Sequence, residues 1–192
     1  RYQFGFPTKQ SADWAWIQHM LASANENGKV AVVIDTGAVS RGRREKAIRQ
    51  KILERDLFEC VILLPEKLFY NTGAPGLIIV FNKNKPKERK EKILLINASK
   101  EFVPGKPQNT LDAENIKKIA KIYDEFKEVE GLSKIITLKN AAEADYNLSP
   151  SRFVSVIEEE KYRSIKEIKV DLEKLEEERK KIESKIKNIL NL

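Results

Sequence analysis
A single cysteine, Cys60, and a single histidine, His19, leave this 192-residue chain without the means to build an internal disulfide framework or a zinc site of clustered His and Cys. No metal site is therefore expected. No apolar run approaches the roughly 18 residues that span a bilayer, and no signal-peptide pattern opens the chain. Together with the lone cysteine, this predicts a reducing, cytoplasmic setting with no membrane attachment. Cys60 lies inside the apolar run FECVILL and is expected to be a small buried hydrophobe. His19 has no second titratable partner in reach by spacing, so it reads as structural or exposed, not catalytic.

What the chain has in abundance is charge. The formal net charge is +7, and two short segments hold more positive excess than the whole chain. Residues Arg41 to Arg55 contain seven Arg or Lys against Glu45 and Glu54, and Lys83 to Lys92 contain six against Glu88 and Glu91. Basic residues concentrated in this way attract a polyanion, and nucleic acid is the obvious one. A solvated helix face and a basic loop are the alternative readings of each segment taken alone.

The pattern along the chain is that of an α/β domain followed by a stalk. Ser11 can cap a helix in which Trp14, Ile17, Leu21 and Ala24 recur at helical spacing, with Gly28 at its stop. VAVVID has no polar alternation and predicts a strand covered on both faces, ending in Asp35-Thr36-Gly37. A helix from Arg43 to Glu54 should turn Ile48 and Ile52 inward and a basic face outward. Strand, helix, strand is the signature of a parallel unit, and ligands of open α/β sheets bind at the carboxyl ends of the strands. FECVILL, GLIIVFN and ILLINA follow, joined by connections too short for a crossover helix. These late strands are expected to pair antiparallel at one end of an otherwise parallel sheet. Pro104, Gly105 and Pro107 close the domain, and a helix from about Asp112 to Lys127 should bury Ile116, Ile119, Tyr123 and Phe126.

Two stretches invite a functional reading. The connection between FECVILL and GLIIVFN runs to about a dozen residues where a hairpin usually needs two to five. It carries Phe69 and Tyr70 beside Asn71-Thr72-Gly73, the chemistry of a sharp bend. Either the rings face outward at the edge of a buried sheet, or Phe69 packs under its own loop. The second stretch is C-terminal. Ile165, Ile168, Leu172, Leu175, Arg179, Ile182, Ile186 and Ile189 alternate at spacings of three and four, a heptad register that predicts one long helix from Ile157 onward. Such a seam calls for a partner helix, a second copy of itself, or its own domain.

Five segments in unbroken order carry a family resemblance: RYQFGFP, SADWAWIQHML, GKVAVVIDTGAVSRGRREKAIRQKIL, PEKLFYNTGAPGLIIVFNK and ADYNLSPSRFV. From Arg1 to about Val154 the chain resembles the modification subunit of type I restriction-modification systems. Two positions depart from the family pattern: Asp35-Thr36 stands where a Pro-containing strand end is frequent, and Gly76 where Ala or Lys is common. The resemblance implies an adenine-specific DNA methyltransferase that uses S-adenosylmethionine. It implies an α/β fold, the C-terminal part of a Rossmann-like class I methyltransferase sheet with an antiparallel hairpin at one edge, then helices and a long coiled-coil-type helix. The corresponding divisions are 1–108, 109–156 and 157–192.

Neither a glycine-rich cofactor turn nor an Asn-Pro-Pro-Phe motif occurs in this sequence. In the resembled family both lie upstream of RYQFG, so the chain reads as a C-terminal portion with no catalytic residue, no cofactor site and no activity of its own. What it should supply is the target-base pocket: Phe69 as stacking ring, Tyr70 second, Asn71, Thr72 and Gly73 at the rim, and Asp35, Thr36 and Gly37 alongside. Arg41, Arg43 and Arg44 are candidate contacts to the phosphates of double-stranded DNA. The resemblance also implies partners: a specificity subunit meeting the seam of Ile165, Ile168, Leu172, Leu175, Ile182, Ile186 and Ile189, a second modification subunit, and a restriction nuclease subunit. The competing reading is a non-catalytic α/β adaptor that displays a stalk and basic patches.

Overall fold
The computed structural model describes residues 1–155 and 165–190 and divides into two compact units, Arg1–Val156 and Ile157–Leu192. The first unit is built on five strands in the order β1-β3-β2-β4-β5, with β1 Lys29–Asp35, β2 Phe58–Leu63, β3 Gly76–Asn82, β4 Lys92–Asn97 and β5 Ser133–Thr137. Two apolar layers cover its faces. Helices α1 (Asp13–Ser23), α2 (Arg43–Glu54), α4 (Leu138–Glu143) and α5 (Pro150–Phe153) contribute Trp14, Ile17, Ile48, Ile52, Ala141 and Phe153 to one. Helix α3 (Ala113–Glu125) contributes Ile119 and Ile122 to the other, together with Leu132, Leu68 and Phe69.

Helix α2 spans the residues its spacing predicts, and Ile48 and Ile52 are buried. Its outer face is less basic than expected, because Glu45 and Arg49 share the stripe of Ile48 and Ile52 and are buried with them. Helix α3 is rotated relative to its predicted face: Ile119 and Ile122 are buried, while Ile116 is exposed.

The strand pairing departs further from expectation. β3 does not lie outside the parallel strands but inserts between β1 and β2, antiparallel to both, and β4 pairs with β2 in parallel. The segment between β3 and β4 needs no crossover helix, because β3 and β4 run in opposite directions. It only passes beneath the amino end of β2, where Lys85 donates to Asp56 and to the carbonyl of Lys92. The segment 109–156 is not simply a helical extension, since β5 pairs antiparallel with β4 and continues the sheet. β1 is not covered on both faces either. Val30, Val32 and Ile34 pack on the core, but Val33 on the opposite face is 58% exposed at the edge of the sheet, and α3 meets this strand at Lys29, whose Nζ donates to Tyr123 OH at 3.3 Å.

In the second unit, α6 runs over Ile165–Leu190. At 1.5 Å per residue it is about 39 Å long. Leu172, Leu175 and Ile182 are exposed along it. The expected seam positions Ile165, Ile168, Ile186 and Ile189 have side chains outside the described residues, as does the predicted helix from 157 to 164. Among the described residues no helix is long and apolar enough to cross a membrane.

Candidate functional site
The loop between β2 and β3 sits where the carboxyl ends of β1, β2 and β4 converge. Asp35 ends β1 opposite Gly76, the first residue of β3, and Ala98 just beyond β4 donates its N–H to Leu63 O at 2.9 Å. The loop is folded on itself, with Lys67 N donating to Gly73 O at 3.2 Å and Ala74 N to Thr72 Oγ1 at 3.1 Å. Lys67 and Asn71 take left-handed backbone, φ 54° and 60°. Strain at non-glycine residues of this kind, of order 1 kcal/mol or more for Lys67, persists only where surrounding contacts hold it.

The two rings have different environments. Phe69 is half-buried against Leu68 and the second apolar layer, so packing under its own loop is part of its role. It also packs against Gly76: a Cβ there would meet Phe69 Cε2 at 2.6 Å, so the first position of this strand leaves no room for a side chain. Tyr70 is 85% exposed. A ring that has no packing to lose and stands beside a pocket is available to a ligand.

That pocket has a volume of about 380 Å³ and is lined by the loop from Lys67 to Gly73 together with Pro107 and Gln108. The volume falls at the lower end of the range usual for small-ligand clefts, roughly 300–1,000 Å³. Its far wall is the segment after β4. Asn109 clamps that wall to the loop, its N–H donating to Lys67 O at 2.9 Å and its Nδ2 to Glu66 O at 2.9 Å. Gln108 Nε2 is buried without a hydrogen-bond partner. A buried orphan donor costs about 1–3 kcal/mol. Sequence reasoning missed Gln108, reading Pro104, Gly105 and Pro107 as a domain boundary; the signal was an amide pair, Gln108-Asn109, directly after that turn chemistry.

Asp35, Thr36 and Gly37 lie at the neighbouring strand end but do not line this pocket. Asp35 Oδ1 accepts from Gly37 N at 2.6 Å and from Arg41 Nη1 at 2.9 Å. Arg41 is itself surrounded: its Nε donates to Glu45 Oε2 at 2.7 Å, and its Nη2 to Asp13 and, at 3.1 Å, to Ser11 Oγ. Burial would lower its pKa, but the hydrogen bonds to Glu45, Asp35 and Asp13 outweigh burial and raise it, so the group stays charged. Gly37 makes room, since a Cβ there would come within 2.5 Å of Arg41 Nη1. Beneath this turn, Ala38 O accepts from Trp14 Nε1 and Arg49 Nη1, both at 3.1 Å. Burial pushes Arg49 down to about 10. Thus Arg41, expected to meet phosphate, is engaged by carboxylates, whereas Arg43 and Arg44 are exposed on α2.

Half of the second basic segment is also spent inside the fold. Lys83 donates to Ala24 O at 2.7 Å, Lys85 pairs with Asp56 at 2.5 Å, and Arg89 donates to Asp124 O at 2.6 Å. Lys87, Lys90 and Lys92 remain exposed, the last donating to Glu88 O at 3.1 Å.

The family model described as N-6 DNA Methylase matches residues 1–162. The type I restriction enzyme MjaVIII methylase subunit of Methanocaldococcus jannaschii is 49% identical over 180 residues, covering 92% of this chain and 31% of that protein. The MjaVII methylase subunit of the same organism is 48% identical over 190 residues, covering 97% of this chain and 31% of the relative. The chain thus spans about a third of the length of these relatives. Among solved structures, the methyltransferase subunit of a type I restriction-modification system from Streptococcus thermophilus superposes with a TM-score of 0.72 at 33% identity, covering 76% of this chain and 31% of that one.

Proposed function
We propose, because this chain belongs to the N-6 DNA methylase family, that it is the C-terminal part of the adenine-specific DNA methyltransferase subunit of a type I restriction-modification system. The full-length subunit would pass a methyl group from S-adenosylmethionine to the exocyclic amine of adenine. The observation that supports this reading is the ring-bearing pocket at the carboxyl ends of the parallel strands. An enzyme that alkylates a base atom takes the base out of the stack at a cost of a few kcal/mol. Stacking on an aromatic ring returns about 1–3 kcal/mol. Phe69, fixed by Gly76, is the stacking ring and Tyr70 the second, with Asn71, Thr72 and Gly73 at the rim. Asp35, Thr36 and Gly37 border the site from the next strand. Arg43 and Arg44 meet DNA phosphates, which position the duplex without reading it. Arg41 braces the strand end.

S-adenosylmethionine does not suit the residues at these strand ends. The carboxylate there, Asp35, is taken by Arg41 and Gly37, and the turn after β1 is a short helix, Thr36–Val39, with a single glycine. We assign the cofactor residues and the groups that hold the target amine to polypeptide upstream. This chain alone then transfers no methyl group, and methyl incorporation into DNA by the purified 192-residue chain would refute that. The open edge of β1 is where the remaining strands of a Rossmann-like sheet would continue. The exposed Leu172, Leu175 and Ile182 suit coiled-coil pairing of α6 with helices of a specificity subunit, in a complex with double-stranded DNA, a second modification subunit and a nuclease subunit.

The test of the base pocket uses the complete subunit. Phe69→Ala should lower turnover on duplex DNA more than on a substrate whose target adenine is mismatched, because the mismatch already lowers the cost of extrusion. Equal losses on both would leave Phe69 a packing residue and this reading without its support.

A further inference from the structure
Gln108 combines three properties found together at no position singled out in the loop. It lines the pocket that holds Phe69 and Tyr70, its Nε2 is buried, and that donor has no partner. Its backbone is held on either side. A Cβ at Gly105 would lie 2.2 Å from Gln108 O, so only glycine allows the chain to close on itself there. Two residues on, Val103 and Thr110 exchange both hydrogen bonds, Val103 N to Thr110 O at 2.8 Å and Thr110 N to Val103 O at 3.0 Å. Asn109 fastens the strip to Glu66 and Lys67. A carboxamide on so constrained a backbone, sharing a pocket with two aromatic rings, suits a flat ligand that offers a π-face and a ring acceptor. A purine base has both: its face stacks on a ring and its unprotonated ring nitrogens accept hydrogen bonds.

We propose that Gln108 is a base-recognition residue, its side-chain N–H donating to a ring nitrogen of the adenine that stacks on Phe69. The inference rests on the base-pocket reading above. Lys67 also lines the pocket, but a phosphate would leave both rings unused, and an aliphatic ligand would leave the amide donor as solitary as before. Gln108 would therefore act on which base is accepted, whereas Phe69 acts on whether any base is held.

The experiment measures kcat/KM of the complete subunit, assembled with its specificity subunit, on duplexes whose target adenine is replaced in turn by its 1-deaza, 3-deaza and 7-deaza analogues. The wild type should lose about tenfold on one analogue, the one lacking the nitrogen that Gln108 reaches. Gln108→Leu should lose about tenfold on adenine and nothing further on that same analogue, because the donor is already gone. Gln108→Glu keeps the shape, exchanges the donor for an acceptor, and should behave like Gln108→Leu; it carries the test if the leucine variant does not fold. Wild-type kcat/KM in both variants, or additive losses of variant and analogue at all three positions, overturns the proposal. If that happens while Phe69→Ala still falls more on paired than on mismatched DNA, only the role of Gln108 is lost. Equal losses for Phe69→Ala would remove the pocket reading itself.

Discussion

At the amino end of β2 the carboxylate of Glu59 is fully buried and fully occupied: it accepts from Asn82 Nδ2 at 2.9 Å and Tyr123 OH at 2.6 Å, and pairs with Lys29 at 3.3 Å and Arg89 at 3.5 Å. At the carboxyl end of the same strand a tyrosine stands in solvent, two loop residues hold left-handed backbone, and an amide donor is buried with no acceptor. One end spends its polar groups on holding strands and α3 together; the other leaves them unspent. The difference separates charge that builds the fold from chemistry kept for something else. The same contrast runs within each basic segment: Arg41 and Arg49 are consumed internally while Arg43 and Arg44 face outward, and Lys83, Lys85 and Arg89 are consumed while Lys87 and Lys90 face outward.

This contrast can be broken at either end. The largest effect is expected from Glu59→Leu, which takes the acceptor from the buried Asn82 amide and the Tyr123 hydroxyl and the counter-charge from Arg89, and should cost about 3–5 kcal/mol in urea unfolding. A smaller, titratable effect follows from the same group. Burial would raise the Glu59 pKa, but the hydrogen bonds from Tyr123 and Asn82 and the nearby Lys29 outweigh burial and hold it below the ordinary 4.5. Its stabilisation is therefore complete above that ordinary value and is lost as pH falls through the depressed one. The stability gap between wild type and Glu59→Gln should accordingly narrow in acid melts below about pH 4.5. At the other end, Gly76→Val drives a side chain into Phe69 and should cost about 1–3 kcal/mol by the same unfolding assay. Tyr70→Ser should change stability by less than about 0.5 kcal/mol. In the complete subunit it should nonetheless weaken binding to DNA with an unpaired target base, and unchanged binding would place Tyr70 outside the pocket's function.

Local features were legible where a short-range pattern decides them. The span of α2 follows from its apolar spacing, and the loop announced itself by its length and rings. Arg49 was legible too, since 45, 48, 49 and 52 share one helical stripe, although its charge argues for the outer face. The strand order was not legible, because the insertion of β3 between β1 and β2 is a long-range pairing. Nor was the role of Glu59. Phe58 faces Phe81 and Cys60 faces Val80, which leaves Glu59 as the extra residue of a β-bulge, and that sends Phe58 and Cys60 to opposite faces of the sheet. Cys60 is accordingly buried among aliphatic side chains, and burial raises its thiol pKa. Gln108 carries no periodic signature at all; only the fold around it makes its amide conspicuous.

The uncovered side of β1 has a practical consequence. A preparation of these residues by themselves presents a row of main-chain donors and acceptors flanked by Val33, a ready template on which identical molecules stack. Turbidity that grows with concentration and is suppressed by a lysine in place of Val33 is the solution behaviour this rim dictates.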